Sequence, residues 1–503
     1  MARDRVLVLG AGLAGLAAAE KLVDGGLEVT VVDAFPLPGG RVASFELAGP
    51  VAGLARGDVV EHGLHAFFQH YHGLYGLMAR AGLSKPPFVG DGVHFWNPRD
   101  GHFCVAGGPL FWLLRSLGLP EQIRGARAPA MAAFSRLTSQ LSTSLQRAEE
   151  TDALNALQWL TRYGVPQPAI DHVFRPCMYS LTSLSLERLS ALELMRWMSS
   201  ILPDPRMRGL TRGGSQAVCM PIAAYLSERG VDLRLGVEVE RIALAADGRP
   251  HVSMVKAPDR TGLRHVLVPG FAPAEPPRAD GFAAVVSALP WERFVALADA
   301  SVSTRMPEVW DGLTSLQNVH PLTVRLWFEQ PLQAADRYIL SAGTIFDVLR
   351  PTVEPGRDGI HLVDALVENI DAHLPELGND RERYVAPGHD ENYVLERVLA
   401  DLERLFPGQV AGNRLRARFV HTREGIIACE PGVWSRRPPA HVGLTGLFLA
   451  GDFTQQPYGV CMEGAVRSGQ LAAEALLTGR PAVPARSAFG QVAYSAYSLF
   501  VRQ

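Results

Sequence analysis

The sequence predicts an α/β protein whose principal domain is built on a parallel β-sheet. Two junctions at opposite ends of the chain indicate this fold class, since each joins a short apolar strand to a helix through a glycine-containing turn. The chain has 503 residues, which allows about two to four domains of ~150 residues each. Hydrophobic residues amount to 47% and charged residues to 20%, as in proteins with large buried cores.

The first junction lies within residues 5–33. The apolar pattern predicts a strand at 5–9, a helix over 16–23 and a second strand at 28–32, which Asp33 closes. The turn after the first strand has the spacing Gly-x-Gly-x-x-Gly. Such glycines permit a tight turn, close approach of a pyrophosphate to the helix N-terminus, and close packing of the helix on the strand. The pattern predicts a dinucleotide-binding βαβ unit of the Rossmann type, with ligand contacts expected from the turn residues Gly10, Gly12, Leu13, Ala14 and Gly15.

Asp33 and the segment after it extend this predicted site. Asp33 lies about 20 residues beyond the glycine turn, where an acidic residue accepts a hydrogen bond from a ribose hydroxyl. Gly39 and Gly40 can bring the backbone against a ligand, and Arg41 can bind a phosphate through its forked guanidinium. Taken alone, the segment around Arg41 is also compatible with a surface turn that carries a solvated arginine.

The second junction lies near the other end of the chain. Residues 446–449 predict a buried strand, and an acidic turn follows at Gly451 and Asp452. An alanine-rich helix is then predicted to run to Leu477. Asp452 stands at the end of the strand, where its carboxylate can accept a hydrogen bond from a cofactor hydroxyl. An ordinary strand–loop–helix connection is the alternative interpretation.

With these two junctions, the sequence resembles the superfamily of FAD-dependent amine oxidases and carotenoid desaturases. Residues 61–68, Glu-His-Gly-Leu-His-Ala-Phe-Phe, resemble the Gly-Leu-His segment of plant-type phytoene and ζ-carotene desaturases, and residues 454–458 resemble the ζ-carotene desaturase ending. The resemblance implies a Rossmann-type FAD-binding domain of the glutathione-reductase-like amine oxidase fold, with an interleaved α+β substrate domain. It also implies further FAD contacts at Val239, Gly451, Asp452, Met462, Glu463 and Ala465.

The resemblance further implies that both domains are discontinuous in sequence. The FAD-binding domain would comprise residues 1–90, 205–300 and 415–480. The substrate domain would comprise residues 91–204 and 301–414, which leaves 481–503 as a C-terminal tail. Within these segments, residue spacing and composition predict helices at 151–159 and 185–198, a strand at 323–328, and loops at 257–280 and 378–392.

The resemblance implies that a flavin accepts a hydride from the substrate, in the desaturation of a carotenoid or another apolar isoprenoid. His65 is the first candidate to move the accompanying proton or to orient the substrate, and Glu463 is the second. A core histidine bonded to backbone is the alternative interpretation of His65. An amine oxidase, an isoprenoid dehydroxylase and an isomerase remain alternative activities. Many amine oxidases place a lysine near flavin N5, and of the three lysines here only Lys256 lies in a plausible strand.

Composition limits the partners and the compartment. The net charge of −3 and the absence of a basic block give no reason to expect nucleic acid as a partner. Five widely spaced cysteines without a Cys-x-x-Cys pair are typical of a reduced intracellular protein. We therefore expect a cytoplasmic protein without a metal. The resemblance implies an apolar small-molecule substrate and leaves the electron acceptor, a quinone or O₂, open. The apolar segment 107–119 is too short to span a membrane, so it predicts either a buried helix or a peripheral contact with the inner face of the membrane.

Overall fold

The computed structural model describes most of the chain as strands and helices in two layers. The described residues are 4–46, 59–61, 65–88, 92–97, 101–106, 147–201, 206–210, 214–257, 273–279, 281–332, 338–353, 361–367, 390–422 and 425–479. The strands are β1 (Arg5–Leu9), β2 (Glu28–Asp33), β3 (Ser44–Glu46), β4 (Val59–Glu61), β5 (Ala66–Phe67), β6 (Gly92–Asn97), β7 (Gly101–Ala106), β8 (Arg208–Gly209), β9 (Asp232–Leu235), β10 (Val237–Leu244), β11 (Pro250–Lys256), β12 (Ala284–Ser287), β13 (Asn318–Val319), β14 (Leu322–Phe328), β15 (Ile339–Ser341), β16 (Val348–Val353), β17 (His361–Val367), β18 (Leu415–Thr422), β19 (Ile426–Ile427) and β20 (Leu447–Leu449).

The α-helices connect and cover these strands. They are α1 (Leu13–Asp24), α2 (His72–Arg80), α3 (Ala148–Asp152), α4 (Ala156–Arg162), α5 (Gln167–Ala169), α6 (Arg175–Thr182), α7 (Ala191–Ile201), α8 (Met220–Glu228), α9 (Trp291–Leu297), α10 (Ala300–Ser303), α11 (Pro307–Thr314), α12 (Asp390–Leu405), α13 (Val433–Arg436) and α14 (Met462–Thr478). Short segments of 3₁₀ or π geometry occur at Gly40–Val42, Ile170–Phe174 and Ser215–Cys219.

The first layer is a five-stranded parallel sheet in the order β20-β12-β1-β2-β9. The central strand β1 is deeply buried, and Leu7, Val8 and Leu9 have no exposed surface. Continuous apolar strands of this kind are typical of parallel sheets covered on both faces. The strands predicted at 5–9 and 28–32 are observed as β1 and β2 with α1 between them, so the predicted βαβ unit is confirmed.

Helices α1 and α14 pack against each other on this sheet. Their contact depends on a glycine, because a Cβ on Gly469 would lie 2.0 Å from the carbonyl oxygen of Ala14. The third glycine of the N-terminal turn has a similar role, since a Cβ on Gly15 would lie 1.9 Å from the carbonyl oxygen of Gly10. The two junctions therefore lie side by side although they are at opposite ends of the chain.

The second layer is a seven-stranded sheet in the order β18-β14-β17-β16-β15-β6-β7. Its strands are antiparallel except for the parallel pair β15 and β6. One face buries Val324, Leu326 and Val363 in a core that includes Val398 and Leu402 of α12. The other face is directed towards the first layer, since Leu340, Val348 and Leu366 belong to the core of the parallel sheet.

Four details differ from the sequence predictions, and the first is the helix predicted over 185–198, which begins only at Ala191 as α7. Strand β18 was expected in the FAD-binding domain, but it pairs with β14 along its whole length and belongs to the seven-stranded sheet, so the boundary at residue 415 is wrong. The helix predicted over 151–159 is broken into α3 and α4 because Asn155 and Gln158 form a capping box that starts a new helix. Part of the loop predicted at 378–392 is helical, since α12 begins at Asp390.

Several predicted segments lie outside the described residues. These include the apolar segment 107–119, the tail 481–503 and most of the predicted loop 257–280, of which 273–279 has no regular secondary structure. No described helix is both long enough and apolar enough to cross a membrane.

Candidate active site

A cavity of about 430 Å³ lies between the two sheets. It falls within the range of ~300–1,000 Å³ that is usual for small-molecule sites. The ends of four parallel strands open onto it through Gly10, Asp33, Ala288 and Gly451. Ligands of open α/β sheets usually bind at this edge, outside the carboxyl ends of the strands. The cavity is therefore the candidate active site.

The N-terminus of α1 faces the cavity and carries no side-chain cap. Gly12 is the N-cap residue, and the first turn contains no acidic side chain. Gly12, Leu13 and Ala14 all line the cavity. A Cβ on Gly12 would meet no protein atom closer than 3.9 Å, so the protein's own packing does not require glycine there. Uncapped amides and the positive end of a helix dipole suit a phosphate or pyrophosphate, which the open space beside Gly12 can admit.

Asp33 supports the glycine turn from the end of β2. Its carboxylate accepts hydrogen bonds from the backbone N–H groups of Ala11, at 2.7 Å, and Phe35, at 2.8 Å. The amide of Gly39 donates to the carbonyl of Ala11 at 2.9 Å, which holds the 39–41 segment against the same turn. Asp33, Gly39 and Gly40 also line the cavity. Contact of Asp33 with a ribose hydroxyl stays a prediction.

Arg41 and Asp452 join the two junctions through an ion pair. Nη2 of Arg41 lies 2.5 Å from Oδ1 of Asp452. Both residues line the cavity; the Asp452 side chain is almost fully buried, whereas about a third of the Arg41 side chain is exposed. The expected contacts of Arg41 with phosphate and of Asp452 with a ribityl hydroxyl stay predictions. The structure shows that both groups are at the cavity and that each neutralises the other.

His65 lies beside this ion pair. The residue is 7% exposed and lines the cavity, and its Nε2 is 3.0 Å from the carbonyl oxygen of Arg41. A neutral imidazole that donates from Nε2 has its acceptor lone pair on Nδ1. The backbone bond orients the ring, as expected for a core histidine, and the location at the cavity is that required of a proton acceptor.

The C-terminal junction presents only some of its predicted residues to the cavity. Gly451, Met462 and Ala465 line it, whereas the carboxylate of Glu463 accepts hydrogen bonds from the amides of Gly73, at 2.7 Å, and Leu74, at 2.9 Å. These amides begin α2, so Glu463 caps that helix. Burial raises the pKa of Glu463 to about 7, although the two backbone bonds oppose the shift. The Glu463 side chain does not line the cavity, and its contact with the cofactor and its role in a proton relay stay predictions.

The opposite end of the cavity lies by β10 and α9. Val239 lines it as predicted from the resemblance, together with Glu238, Pro290 and Arg293. Strand β10 follows β9, the edge strand of the parallel sheet next to β2. Asp452 follows β20 at one edge of the parallel sheet and β10 follows β9 at the other edge, so the residues that line the cavity come from both edges of the sheet.

An uncharged wall also lines the cavity, and most of it was not predicted from the sequence. Phe68 and Tyr71 are buried side chains that also line the cavity. The remaining members include Trp197 from α7 and, from the second sheet and its approaches, Tyr338, Leu340, Val348 and Leu366. Apolar spacing identifies such residues as buried, but only the packing of the two layers shows that they face a cavity.

Two further observations limit the chemistry of this wall. Burial raises the pKa of Cys461, which lines the cavity, to about 12, so its thiol stays protonated at neutral pH. None of the three lysines lines the cavity. Lys21 pairs with Glu474, and Lys256 pairs with a glutamate on the surface. Lys85 lies over the ring of Tyr75, 4.8 Å from its centroid.

Comparison with known proteins assigns the family. Residues 13–477 match the profile of flavin containing amine oxidoreductases. The chain is 25% identical to a 15-cis-phytoene desaturase of Synechococcus elongatus, over 96% of this chain and 98% of that protein. It is also 25% identical to a probable zeta-carotene desaturase of the same organism, over 94% and 98% of the two chains.

Solved structures share the fold. A putrescine oxidase variant has a TM-score of 0.67 at 18% identity and covers 95% of this chain and 99% of its own. Cyclohexylamine oxidase from Brevibacterium oxydans has a TM-score of 0.62 at 17% identity, with coverage of 95% and 99%. The predicted α/β fold of the amine oxidase type is therefore confirmed. The chain belongs to the flavin containing amine oxidoreductase family and is a flavin-dependent oxidoreductase.

Proposed function

We propose that the protein binds FAD and uses it to desaturate a carotenoid or another apolar isoprenoid. The observation that carries this proposal is the composition of the cavity. Its charged residues lie along the dinucleotide-type segments, at Asp33, Arg41, Glu238, Arg293 and Asp452, whereas the described wall contributed by the second sheet is uncharged. One cavity thus combines a polar half suited to a dinucleotide with an apolar half suited to a hydrocarbon.

The polar half fits FAD better than a smaller flavin. The uncapped N-terminus of α1 and the open space at Gly12 suit a pyrophosphate. Asp33 lies at the position where a ribose hydroxyl is bound in dinucleotide sites. A mononucleotide would leave the β10 end of the cavity, around Val239, without a ligand.

When bound, the flavin supplies a hydride acceptor at N5. The chain's own contribution is to orient the substrate and to exclude water from it. Phe68, Trp197 and Leu366 suit both tasks, since all three are buried and line the cavity. Desaturation also releases a proton, and His65 lines the cavity and carries an imidazole, a group that can accept it.

The amine-oxidase alternative is less well supported. Many such enzymes place a lysine near flavin N5, and none of the three lysines of this chain lies in the cavity. The curated relatives at about a quarter identity carry the names of phytoene and zeta-carotene desaturases. Dehydroxylation or isomerisation of an isoprenoid would use the same cavity, and the products distinguish them from desaturation.

Anaerobic reduction of the bound flavin tests the proposal. The purified protein is mixed with phytoene or ζ-carotene in detergent micelles, and the flavin absorbance is followed without oxygen. We expect the absorbance to bleach while the substrate loses two hydrogens by mass. Rapid bleaching by simple primary amines, with none by polyenes or other isoprenoids, would assign the protein to the amine oxidases. A product of unchanged mass would indicate an isomerase. A dehydroxylase would leave both hydrocarbons unchanged, and with reduced flavin it would replace the hydroxyl of a hydroxylated isoprenoid by hydrogen and release water.

A further inference from the structure

A buried cluster of four charged residues lies behind the cavity. Asp152, Glu193, Arg196 and Arg437 are each at most 3% exposed. They come from α3, α7 and the residue after α13, and none of them lines the cavity. The two acids and two bases balance in charge. The chemistry proposed above does not use any of them.

Arg437 donates hydrogen bonds to the backbone of the turn that follows β20. Its Nε donates to the carbonyl oxygens of Phe453, at 3.2 Å, and Thr454, at 3.1 Å. Its Nη2 donates to the carbonyl oxygen of Asp452. One guanidinium thus satisfies three successive carbonyls. The first belongs to the residue whose side chain pairs with Arg41 at the cavity.

Glu193 holds the other end of the same loop. Its Oε1 accepts a hydrogen bond from the amide of Val460 at 2.7 Å, just before α14 begins. Its Oε2 lies 3.9 Å from Nη1 of Arg437. The approach is close, since a Cβ on Gly459 would lie 3.0 Å from Oε1 of Glu193. Val460 lines the cavity. The Arg437–Glu193 pair therefore fixes the loop over 452–460 at both ends.

The remaining two charges, Arg196 and Asp152, make further contacts of their own, and Arg196 also pairs with Glu193, its Nη1 lying 3.5 Å from Oε2. The Arg196 guanidinium lies over the ring of Trp434, 4.0 Å from its centroid. Asp152 accepts hydrogen bonds from the amide of Trp434, at 2.8 Å, and from the hydroxyl of Ser190, at 2.5 Å. Replacing Arg437 and Glu193 together by neutral residues would leave this pair of opposite charges in place. The cluster would stay electrically balanced.

Stability alone is a weak explanation for such a pair. Desolvation of buried ions offsets much of their attraction, and neutral replacement of a whole pair often leaves a protein as stable as before. Charge-assisted hydrogen bonds do, however, fix the relative positions of the groups that they join. Here the fixed element is the loop that carries Asp452 to the cavity and leads into α14. Helix α7, which bears Glu193, also bears Trp197 of the uncharged wall.

We propose that Arg437 and Glu193 are positioning residues of the flavin site. They hold the loop over 452–460 so that Asp452 and the first turn of α14 keep the location that flavin binding requires. They act through backbone carbonyls and an amide and do not touch the ligand. This inference depends on the flavin and not on the identity of the substrate, so it stands or fails independently of the desaturase proposal.

The double variant Arg437→Met/Glu193→Gln tests this positioning role. The variant keeps the net charge of the cluster at zero, and the glutamine oxygen remains as an acceptor for the Val460 amide. The readout is the rate at which holoenzyme releases FAD on dilution, followed by flavin fluorescence, together with the melting temperature of the flavin-free chain. The matched control is Arg325→Met/Asp364→Asn, a buried pair of β14 and β17 with both side chains 4% exposed. It removes a pair of the same kind that contacts no part of the loop.

We expect the Arg437/Glu193 variant to release FAD at least about tenfold faster than the wild type, and the control to stay within about twofold. The flavin-free melting temperatures of the two variants should be similar. Release at the wild-type rate, or equal acceleration in both variants, would overturn the proposal. If the double variant does not fold, Arg437→Lys replaces it, since lysine keeps the charge but cannot span three carbonyls. Failure of that variant to fold would also overturn the proposal, because Arg437 would then be a requirement of the fold.

Discussion

At the scale of single residues, the polar side chains that line the cavity come from distant parts of the sequence. Arg41 and Asp452 pair across it, and the carbonyl of Arg41 orients His65. The sequence alone predicts that Gly12 and Asp33 belong to a ligand site, because their roles follow from a local motif. It does not predict the pairing of Arg41 with Asp452, since that contact depends on how the two ends of the chain pack.

Replacement of Gly12 by valine should abolish flavin binding without unfolding the chain. The backbone of Gly12 is extended, which valine tolerates, and its Cβ would meet no protein atom within 3.9 Å. The added methyl groups would instead fill the space expected for the pyrophosphate. Flavin content and melting temperature measure the two effects. Gly412→Val is the control, since a Cβ there meets nothing within 4 Å and Gly412 does not line the cavity. A Gly12→Val protein with full flavin content would contradict the assignment.

Replacement of His65 by alanine should slow flavin reduction while FAD remains bound. A positioned acid–base group typically contributes about 100- to 10,000-fold, and we expect a loss of that size. Stopped-flow measurement of anaerobic flavin reduction gives the rate, and the flavin content provides the control for binding. A loss of less than roughly tenfold, below the range for acid–base catalysis, would show that His65 is a core histidine bonded to backbone.

Glu463 should make stability depend on pH. Burial raises the pKa of its carboxyl from 4.5 to about 7. The folded chain therefore binds this proton more tightly than the unfolded chain, so the stabilising contribution is complete below pH 4.5 and is lost as the pH rises through about 7. Relative to Glu463→Gln, the wild-type free energy of unfolding should fall by about 3 kcal/mol across this interval. Urea denaturation over a pH series measures it, and parallel curves for the two proteins would refute the expectation.

At the scale of elements, sequence patterns predict the helices, strands and turns that are determined by neighbouring residues. The strand–turn–helix–strand unit follows from an apolar run, three spaced glycines and an acidic residue, and it is observed as β1, α1 and β2. The break at Asn155 could have been read from its capping box with Gln158, which is a sequence signature. The pairing of β18 with β14 could not be predicted from the sequence. Alternation of apolar and polar residues shows that a segment is extended and half-buried, but it does not show which sheet the strand joins.

The apolar segment 107–119 carries a proposal that rests on its sequence. It contains Phe111, Trp112 and several leucines with a single charge at Arg115. We propose that it binds the membrane surface reversibly, since an apolar substrate has to be taken from lipid. Wild-type protein should float with liposomes, and Trp112→Glu/Leu113→Glu should not. If both proteins stay in the soluble fraction and are equally active, the proposal is wrong.

At the scale of the whole molecule, the site exists because two sheets meet. The parallel sheet supplies the polar half of the cavity, and the seven-stranded sheet and α7 supply the uncharged half. Trp197 and Leu366 could be recognised from sequence as buried, yet their orientation towards a cavity follows only from the packing of the layers. The contact between Arg437 and Glu193 also follows only from the packing, because the two residues are far apart in sequence and meet behind the loop over 452–460.

We propose that the N-terminal and C-terminal junctions together form one non-covalent FAD site. The most direct test of this claim is to denature the purified yellow protein, separate the chain from the supernatant, and identify and quantify the released flavin. We expect about one FAD per chain in the supernatant, because the arrangement of the two junctions suits a dinucleotide. Burial keeps the thiol of Cys461 protonated, so this thiol is a poor nucleophile for covalent attachment of the flavin. Protein without flavin, release of a mononucleotide, or flavin that stays attached to the denatured chain would contradict the claim.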